Sequence, residues 1–200
     1  MVKASDRRIE QNKKRIIRAA LELFLVRGIR KTAMTGIAQN AGLSPATIYN
    51  HFGSKEDLVY ATVKHFVTSA GADFRKIVEG NLPFLEKLEQ VLLYKQEIFG
   101  QYQGELLQTI VSDNSEIRQF IDSVYLVEIR QTLNDFYEQG KRQGYISQEL
   151  SAETLILYSE IMRKGMAAES SLSKDPERNL KLLQELIPLY LYGILGKPEK

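Results

Sequence analysis

Cysteine is absent from the 200-residue sequence, and histidine occurs only at His51 and His65. The absence of cysteine excludes disulfides, thiolate nucleophiles and thiolate metal ligands. The two histidines do not have the His-x-x-x-His or His-Glu-x-x-His spacing of a helical zinc site. We therefore expect no metal and no other cofactor.

Long apolar runs are also scarce. The longest, Leu186 to Leu195, is interrupted by Pro188 and Gly193 and is too short to span a bilayer. The first residues, MVKASDRRIEQNKKR, are charged and lack the apolar core of a signal peptide. Because neither a targeting segment nor a disulfide is indicated, we expect a cytoplasmic protein.

Glycine patterns that bind phosphates in enzymes do not occur. There is no Walker loop or dinucleotide-binding fingerprint, and the segment from Gly100 to Gly104 fits a helix interruption better. The neighbouring acids Glu56 and Asp57 suit the start of a helix better than acid–base catalysis. We expect that the protein is not an enzyme. An all-α enzyme that uses acidic residues alone is the alternative in that class.

The formal net charge is +2, but the basic residues are concentrated near the N-terminus. Residues 1–57 contain 11 Lys and Arg against 5 Asp and Glu, whereas residues 58–200 contain 16 against 20. An excess of basic residues over 1–57, beside a mild excess of acidic residues over 58–200, indicates that the N-terminal segment binds an anionic partner. A basic face that is merely solvated is the alternative.

Apolar residues recur at helical spacing along almost the whole chain, which predicts an all-α protein of about nine helices. The first four are expected over Arg7 to Val26 (closed by Gly28), over 33–40, over 45–52, and from the cap Ser54 to about Val78. A fifth helix is expected from about Leu85, with interruptions at Gly100 and Gly104 and a break at 112–115. One helix is expected from Ile117 to Gln139, ended by Gly140 or Gly144. The last two are expected from Ser151 to about Ser170 and from Asp175 onward.

Residues 33–52 have the local chemistry of two short helices that cross at a steep angle. Ala38 permits a close approach, and Gly42 can adopt the left-handed conformation that ends the first helix. Ser44 is placed to cap the second helix, with Pro45 at its first position. The pattern predicts a helix-turn-helix whose second helix can enter the major groove of DNA.

Residues 28–58, GIRKTAMTGIAQNAGLSPATIYNHFGSKEDL, resemble the DNA-binding region of the TetR family of bacterial repressors. The matching positions are Gly28, Thr32, Ile37-Ala38, Ala41-Gly42-Leu43-Ser44, Thr47-Ile48-Tyr49, His51-Phe52, Lys55 and Leu58. Gly36 departs from the helix-forming residue usual there, which we expect to loosen the second helix slightly. The resemblance implies a DNA-binding domain over 1–53 and a ligand-binding and dimerisation domain over 54–200.

The candidate contacts to the DNA backbone include Thr35, Tyr49, His51 and Lys55. The resemblance implies a phosphate contact for Tyr49, and packing into the core is the alternative. Lys55 starts the fourth helix, where its ammonium and the free N–H groups can meet a phosphate, unless it is merely solvated. Thr35 is expected to face the backbone near the start of the second helix. His51 either touches a phosphate or packs against Phe52.

Five further residues on or next to the third helix are candidate DNA contacts. Ser44 and Thr47 can donate to phosphates, although Ser44 also serves as the cap. Pro45 and Ala46 can contact a thymine methyl group, and Asn50 could pair with adenine.

The remaining two thirds of the chain is rich in aromatic residues, which at helical spacing are usually core. The resemblance implies a small-molecule cavity among these helices, for which amphipathic side chains are suited. We expect the lining to include Phe66, Phe99, Tyr102, Tyr125, Ile129 and Met162. The resemblance also implies that the last two helices form a homodimer interface. The alternative is that these two helices are a buried pair within a monomer.

The expected function is therefore a ligand-responsive transcriptional regulator. It would bind a palindromic double-stranded DNA operator as a dimeric repressor and be released by a small molecule. A chromosome-organising DNA-binding protein without a ligand is the alternative from another class.

Overall fold

Eight helices can be delimited in the computed structural model, and its described part contains no strand. The structure describes residues 4–101, 109, 115–124, 127, 129–168, 178, 181–182, 185–186, 189–190 and 193. The helices are α1 (Ala4–Arg27), α2 (Met34–Ala41), α3 (Pro45–Phe52), α4 (Lys55–Glu79), α5 (Phe84–Gln101), α6 (Ser115–Val124), α7 (Arg130–Arg142) and α8 (Ala152–Ala168). The all-α prediction is confirmed. No helix in the described part is both long and apolar enough to cross a membrane.

Helices α1, α2 and α3 surround one apolar core. Ile16 and Phe24 of α1, Ile37 of α2 and Ile48 of α3 are each no more than 1% exposed and belong to one contiguous cluster. Ala38 is also buried there and belongs to the same cluster. The first residues of the chain thus form a compact three-helix unit.

Helix α4 connects this unit to the rest of the chain. Its cap is the one predicted: the backbone N–H of Asp57 donates to Ser54 Oγ at 3.0 Å, and that hydroxyl donates to the Asp57 carboxylate at 2.6 Å. Leu58 near its start belongs to the core of α1–α3, whereas Val78 in its last turn belongs to the core of the C-terminal helices. One 25-residue helix therefore contributes to both cores.

A third apolar cluster joins the three-helix unit to α6. Val63 of α4 and Ile117 of α6 are buried at its centre, and Leu21 and Leu25 of α1 pack against them. Lys64 of α4 lies over the ring of Phe120 of α6, 4.8 Å from the centroid. Helix α6 thus contacts α1 and α4 together.

The predicted long helix from Ile117 to Gln139 is helical at every described position, but it changes helix type part-way. Two α-helices, α6 and α7, occupy this range, and Val127 and Ile129 between them have π-helical geometry. A π turn accommodates one extra residue, which local hydrophobic spacing does not reveal. Here α7 lies close to α4, because a Cβ atom on Gly71 would stand 3.2 Å from Ile129 Cδ1.

Gly140, one of the two glycines expected to end a helix, and Gly100, an expected interruption, both lie inside helices instead. Gly140 is buried within α7, where a Cβ atom would meet Ile146 at 2.7 Å and Phe84 at 2.8 Å. It therefore serves close packing, and α7 ends at Arg142, shortly before Gly144 at φ +79°. Gly100 lies inside α5, which extends to Gln101.

The other expected boundaries agree with the structure or lie outside its described residues. Ser151 caps α8 by accepting a hydrogen bond of 3.0 Å from the Thr154 N–H, and Gly28 follows the last residue of α1. Gly104, residues 112–114, Ser170 and Asp175 are outside the described part. The described positions between 178 and 193 are helical, where the ninth helix is expected.

The C-terminal helices share a core with a hydrogen-bonded cluster at its edge. Phe84, Phe136 and Leu155 are buried in its apolar part. At its edge the Tyr137 hydroxyl bonds to that of Ser159 at 2.5 Å and to that of Tyr190 at 2.7 Å. These bonds link α7, α8 and the helical segment around Tyr190.

Candidate nucleic-acid interface

The turn between α2 and α3 is fixed by Gly42. Its φ of +61° lies in the left-handed region, and its N–H donates to the Gln39 carbonyl at 3.1 Å. The next N–H, that of Leu43, donates to the Ala38 carbonyl at 2.9 Å. This C-terminal cap reverses the chain within a few residues, as predicted for a helix-turn-helix.

Arg15 holds the same turn from outside it, a contact that sequence reasoning missed. One guanidinium nitrogen donates to the Ala41 carbonyl oxygen at 2.7 Å. That carbonyl ends α2 and has no partner within the helix. A Cβ atom on Gly42 would lie 3.0 Å from the same nitrogen. Arg15 is one of several basic residues on α1, so nothing in its sequence neighbourhood indicates that it bonds to the Ala41 carbonyl.

The N-terminus of α3 is capped by Ser44. Its hydroxyl oxygen accepts a hydrogen bond of 3.1 Å from the Thr47 N–H and lies 2.8 Å from Thr47 Oγ1. Pro45 occupies the first helical position, where no N–H is needed. Ser44 and Thr47 therefore interact with each other at the start of α3, and Thr47 is half-buried.

The outer face of α3 is exposed, whereas Ile48 anchors its inner face in the core. Pro45, Ala46 and Asn50 are all exposed, and the Tyr49 ring is 51% exposed. Tyr49 thus does not pack into the core. These side chains project from a helix whose opposite face is held rigidly, which is the arrangement a recognition helix requires.

His51 and Phe52 end α3 with their rings in contact. The ring centroids are 6.4 Å apart in an edge-to-face arrangement, and both residues are half-buried. This packing is one of the two alternatives considered for His51.

The starts of α2 and α4 carry the two remaining predicted contacts. At α2 the cap position is Ala33, whose side chain makes no capping hydrogen bond, and Thr35 lies exposed in the first turn. At α4 the half-buried Lys55 donates to the Arg30 carbonyl at 3.4 Å. That bond ties the start of α4 to the loop after α1, which carries the exposed residues Arg30 and Lys31. The sequence carries no local signal of this contact, because Lys55 and Arg30 are 25 positions apart.

The residues expected to line an effector cavity are only partly described. Phe66 of α4, Ile129 and Met162 of α8 are each half-buried, and Ile129 lies against Gly71. The side chain of Phe99, and Tyr102 and Tyr125 as a whole, are outside the described residues. The part of the chain that the structure describes holds no group of three acidic or histidine side chains arranged for a metal ion.

Comparisons with known proteins agree with the geometry of α1–α4. Residues 16–62 match the family model described as bacterial regulatory proteins, tetR family. The DNA-binding region of the chain is of the TetR type. The transcriptional regulator UidR of Escherichia coli is 26% identical over 172 residues, covering 80% of this chain and 86% of that protein.

Two further comparisons extend this TetR-family likeness. The transcriptional repressor KstR2 of Mycobacterium tuberculosis is 25% identical over 143 residues, which cover 69% of this chain and 70% of that protein. The fatty acid degradation regulator FadR from Bacillus halodurans is 21% identical, with a TM-score of 0.63 over 94% of this chain and 97% of that one. The first is named as a repressor, and the second shows that the fold is shared. The relatives are named as transcriptional regulators, and together with the helix-turn-helix they point to a DNA-binding regulator rather than an enzyme.

Proposed function

We propose that this chain is a dimeric, ligand-responsive repressor that binds an inverted-repeat operator. The observation that carries the proposal is the exposed outer face of α3, presented by a helix-turn-helix whose inner side is buried and capped. The flanking starts of α2 and α4 lie on the basic part of the chain. Residues 1–53 form the DNA-binding domain, and residues 54–200 bind the effector and the second subunit.

Phosphate contacts surround the recognition helix. The Tyr49 hydroxyl and the Lys55 ammonium each reach one phosphate, and Thr35 adds its hydroxyl beside the first N–H groups of α2, which no side chain caps. Such N–H groups favour anions because they carry the positive end of the helix dipole. Ser44, Thr47 and His51 contact the backbone more weakly, since their polar atoms or rings already have neighbours in the protein.

Base contacts come from the exposed residues of α3. Asn50 offers an amide that can pair with the N6 and N7 edge of adenine. Pro45 and Ala46 offer apolar surface for a thymine methyl group. Each favourable base contact contributes about 1–3 kcal/mol of discrimination.

The dimer forms through α8 and the last helical segment. Leu157 and Ile161 are 54% and 58% exposed on α8, and Leu189 is 65% exposed on the segment beyond it. Leu157 and Ile161 are four residues apart and therefore lie on one helix face. A second copy that packs against this face would remove the apolar surface from water and place two recognition helices about a two-fold axis.

The effector binds among α4, the π-helical turn and α8. Phe66, Ile129 and Met162 contribute its described walls, together with Phe99, Tyr102 and Tyr125. An effector bound next to the Ile129–Gly71 contact would move α4. The first turn of α4 carries Lys55. The two recognition helices would then no longer match both half-sites.

A genome-wide binding map of the wild type, Ile161→Glu and Leu93→Glu tests the proposal. Leu93, also 58% exposed but on α5, is the matched control because it lies outside the proposed interface. We expect few sharp sites for the wild type and for Leu93→Glu, and loss of those sites for Ile161→Glu. Broad coverage by the wild type would favour the chromosome-organising alternative.

A further inference from the structure

A groove of about 860 Å³ opens where the turn between α4 and α5 faces α7. Its wall includes Val78, Gly80 and Leu82 on one side and Thr132 and Gln139 on the other. It lies at the end of α4 farthest from the DNA-binding unit. Phe66, Ile129 and Met162 are not part of its wall, so it is separate from the effector region proposed above.

Lys87 places a buried ammonium group in this wall. The residue is only 4% exposed, and its nitrogen donates to the Val78 carbonyl and to Gln139 Oε1, the second at 2.7 Å. Among the described residues no carboxylate oxygen lies within 4.0 Å of that nitrogen. An ammonium has three N–H donors, and its described partners are two neutral oxygen atoms. A buried cation without an opposite charge is costly, and burial lowers the pKa of Lys87.

The neighbouring amides are oriented by the backbone. Gln139 Nε2 donates to the Leu82 carbonyl at 3.0 Å, so its oxygen faces Lys87. Gln143 Oε1 accepts from the Phe84 N–H at 2.8 Å, so its amide nitrogen keeps its donors for another partner. With the exposed Arg142 also in the wall, the groove is supplied with hydrogen-bond donors.

We propose that this groove binds the carboxylate group of a small molecule, with Lys87 as its anchor and Gln143 and Arg142 as additional donors. The bound carboxylate supplies the opposite charge that Lys87 lacks. Glu79 and Asp135, both exposed, also line the groove and repel a doubly charged anion more strongly than a singly charged one. The groove therefore selects a singly charged carboxylate over a phosphate.

Nuclear magnetic resonance of the full chain with ¹³C-labelled lysine tests this site. Acetate is the probe, acetamide is its uncharged isostere, and inorganic phosphate is the alternative anion, all at constant ionic strength. In the wild type we expect acetate to give a saturable shift of the Lys87 Cε signal, and acetamide to give none. Because this comparison uses one protein, it does not depend on the folding of any variant.

Three variants locate the binding, with backbone amide shifts of Gly80 and Asn81 as the readout. Lys87→Met is expected to abolish the saturable shifts, whereas Lys76→Met, which removes a nearby exposed lysine outside the groove, keeps them. Arg142→Gln is expected to weaken acetate binding by about fivefold or less, as for an exposed charge pair. Equal responses to acetate and acetamide, shifts that survive Lys87→Met, or tighter binding of phosphate would each overturn the proposal. No DNA is involved, so the result is independent of the proposed repressor function.

Discussion

Arg15 of α1 and Ala41 of α2 are joined by a hydrogen bond of 2.7 Å from the guanidinium to the carbonyl oxygen. The two residues are 26 positions apart, and the bond fixes the last turn of α2 beside Gly42. The orientation of α3 thus depends on an arginine outside the helix-turn-helix.

We expect Arg15→Met to destabilise the protein by about 1–2 kcal/mol, because the Ala41 carbonyl loses its charged donor. Urea unfolding measures the change, and Arg18→Met, at another exposed arginine of α1, is the control. Equal stability of the two variants would show that the bond is dispensable.

Two glycines respond oppositely to alanine. Gly140→Ala forces a methyl group to within 3 Å of Ile146 and Phe84, so we expect a loss of about 1–3 kcal/mol. Gly36→Ala meets no atom within 4 Å and removes a poor helix former from α2, so we expect a gain of up to about 1 kcal/mol. Thermal unfolding of both variants measures these changes in stability. If Gly140→Ala were as stable as the wild type, this would contradict the close packing of α5, α7 and the loop that follows α7.

Stability at alkaline pH depends on Lys87 in a defined direction. Its folded pKa is lowered from 10.5 by burial, so between the two values the unfolded chain binds more protons than the folded one. The unfavourable contribution of Lys87 is therefore fully present below its folded pKa and is relieved as the pH rises towards 10.5.

The stability of the wild type relative to Lys87→Met is accordingly expected to increase over that range. Burial also raises the pKa of Tyr190, which lowers the stability of the folded state above about pH 10. Because the wild type and Lys87→Met share this contribution, it cancels in the difference between their stabilities. Urea titrations at a series of pH values provide the measurement. A constant or decreasing difference would contradict the burial of the ammonium.

Binding to DNA should weaken steeply with salt. For Z neutralised phosphates the slope of log affinity against log salt concentration is about −0.9Z. We expect Lys55→Ala to reduce the slope by about one and to weaken all sequences alike. Lys76→Ala, at the far end of α4, is the control. An unchanged slope for Lys55→Ala would mean that Lys55 only supports the loop through the Arg30 carbonyl.

The sequence predicted those parts of the fold that depend on neighbouring residues. Gly42, Ser44 and Pro45 define the bounds of α3 because caps and turns are local chemistry. The bond from Arg15 could not be predicted, since it joins residues far apart in the chain. The π-helical geometry at Ile129 could not be predicted for a different reason, because hydrophobic spacing does not distinguish a π turn from a regular α-helix. Lys87 has the sequence context of a surface lysine, and only the packing of α4 and α7 buries it.

In vitro selection of DNA sites by the wild type, Tyr49→Phe and Asn50→Ala tests the central claim most directly. We predict an inverted repeat whose half-sites lie about one helical turn, or a multiple of it, apart. Tyr49→Phe should select the same consensus with lower affinity, whereas Asn50→Ala should lose preference at one base pair in each half-site. Selection of a single half-site, or of no consensus at all, would contradict a dimeric repressor that reads its operator through α3.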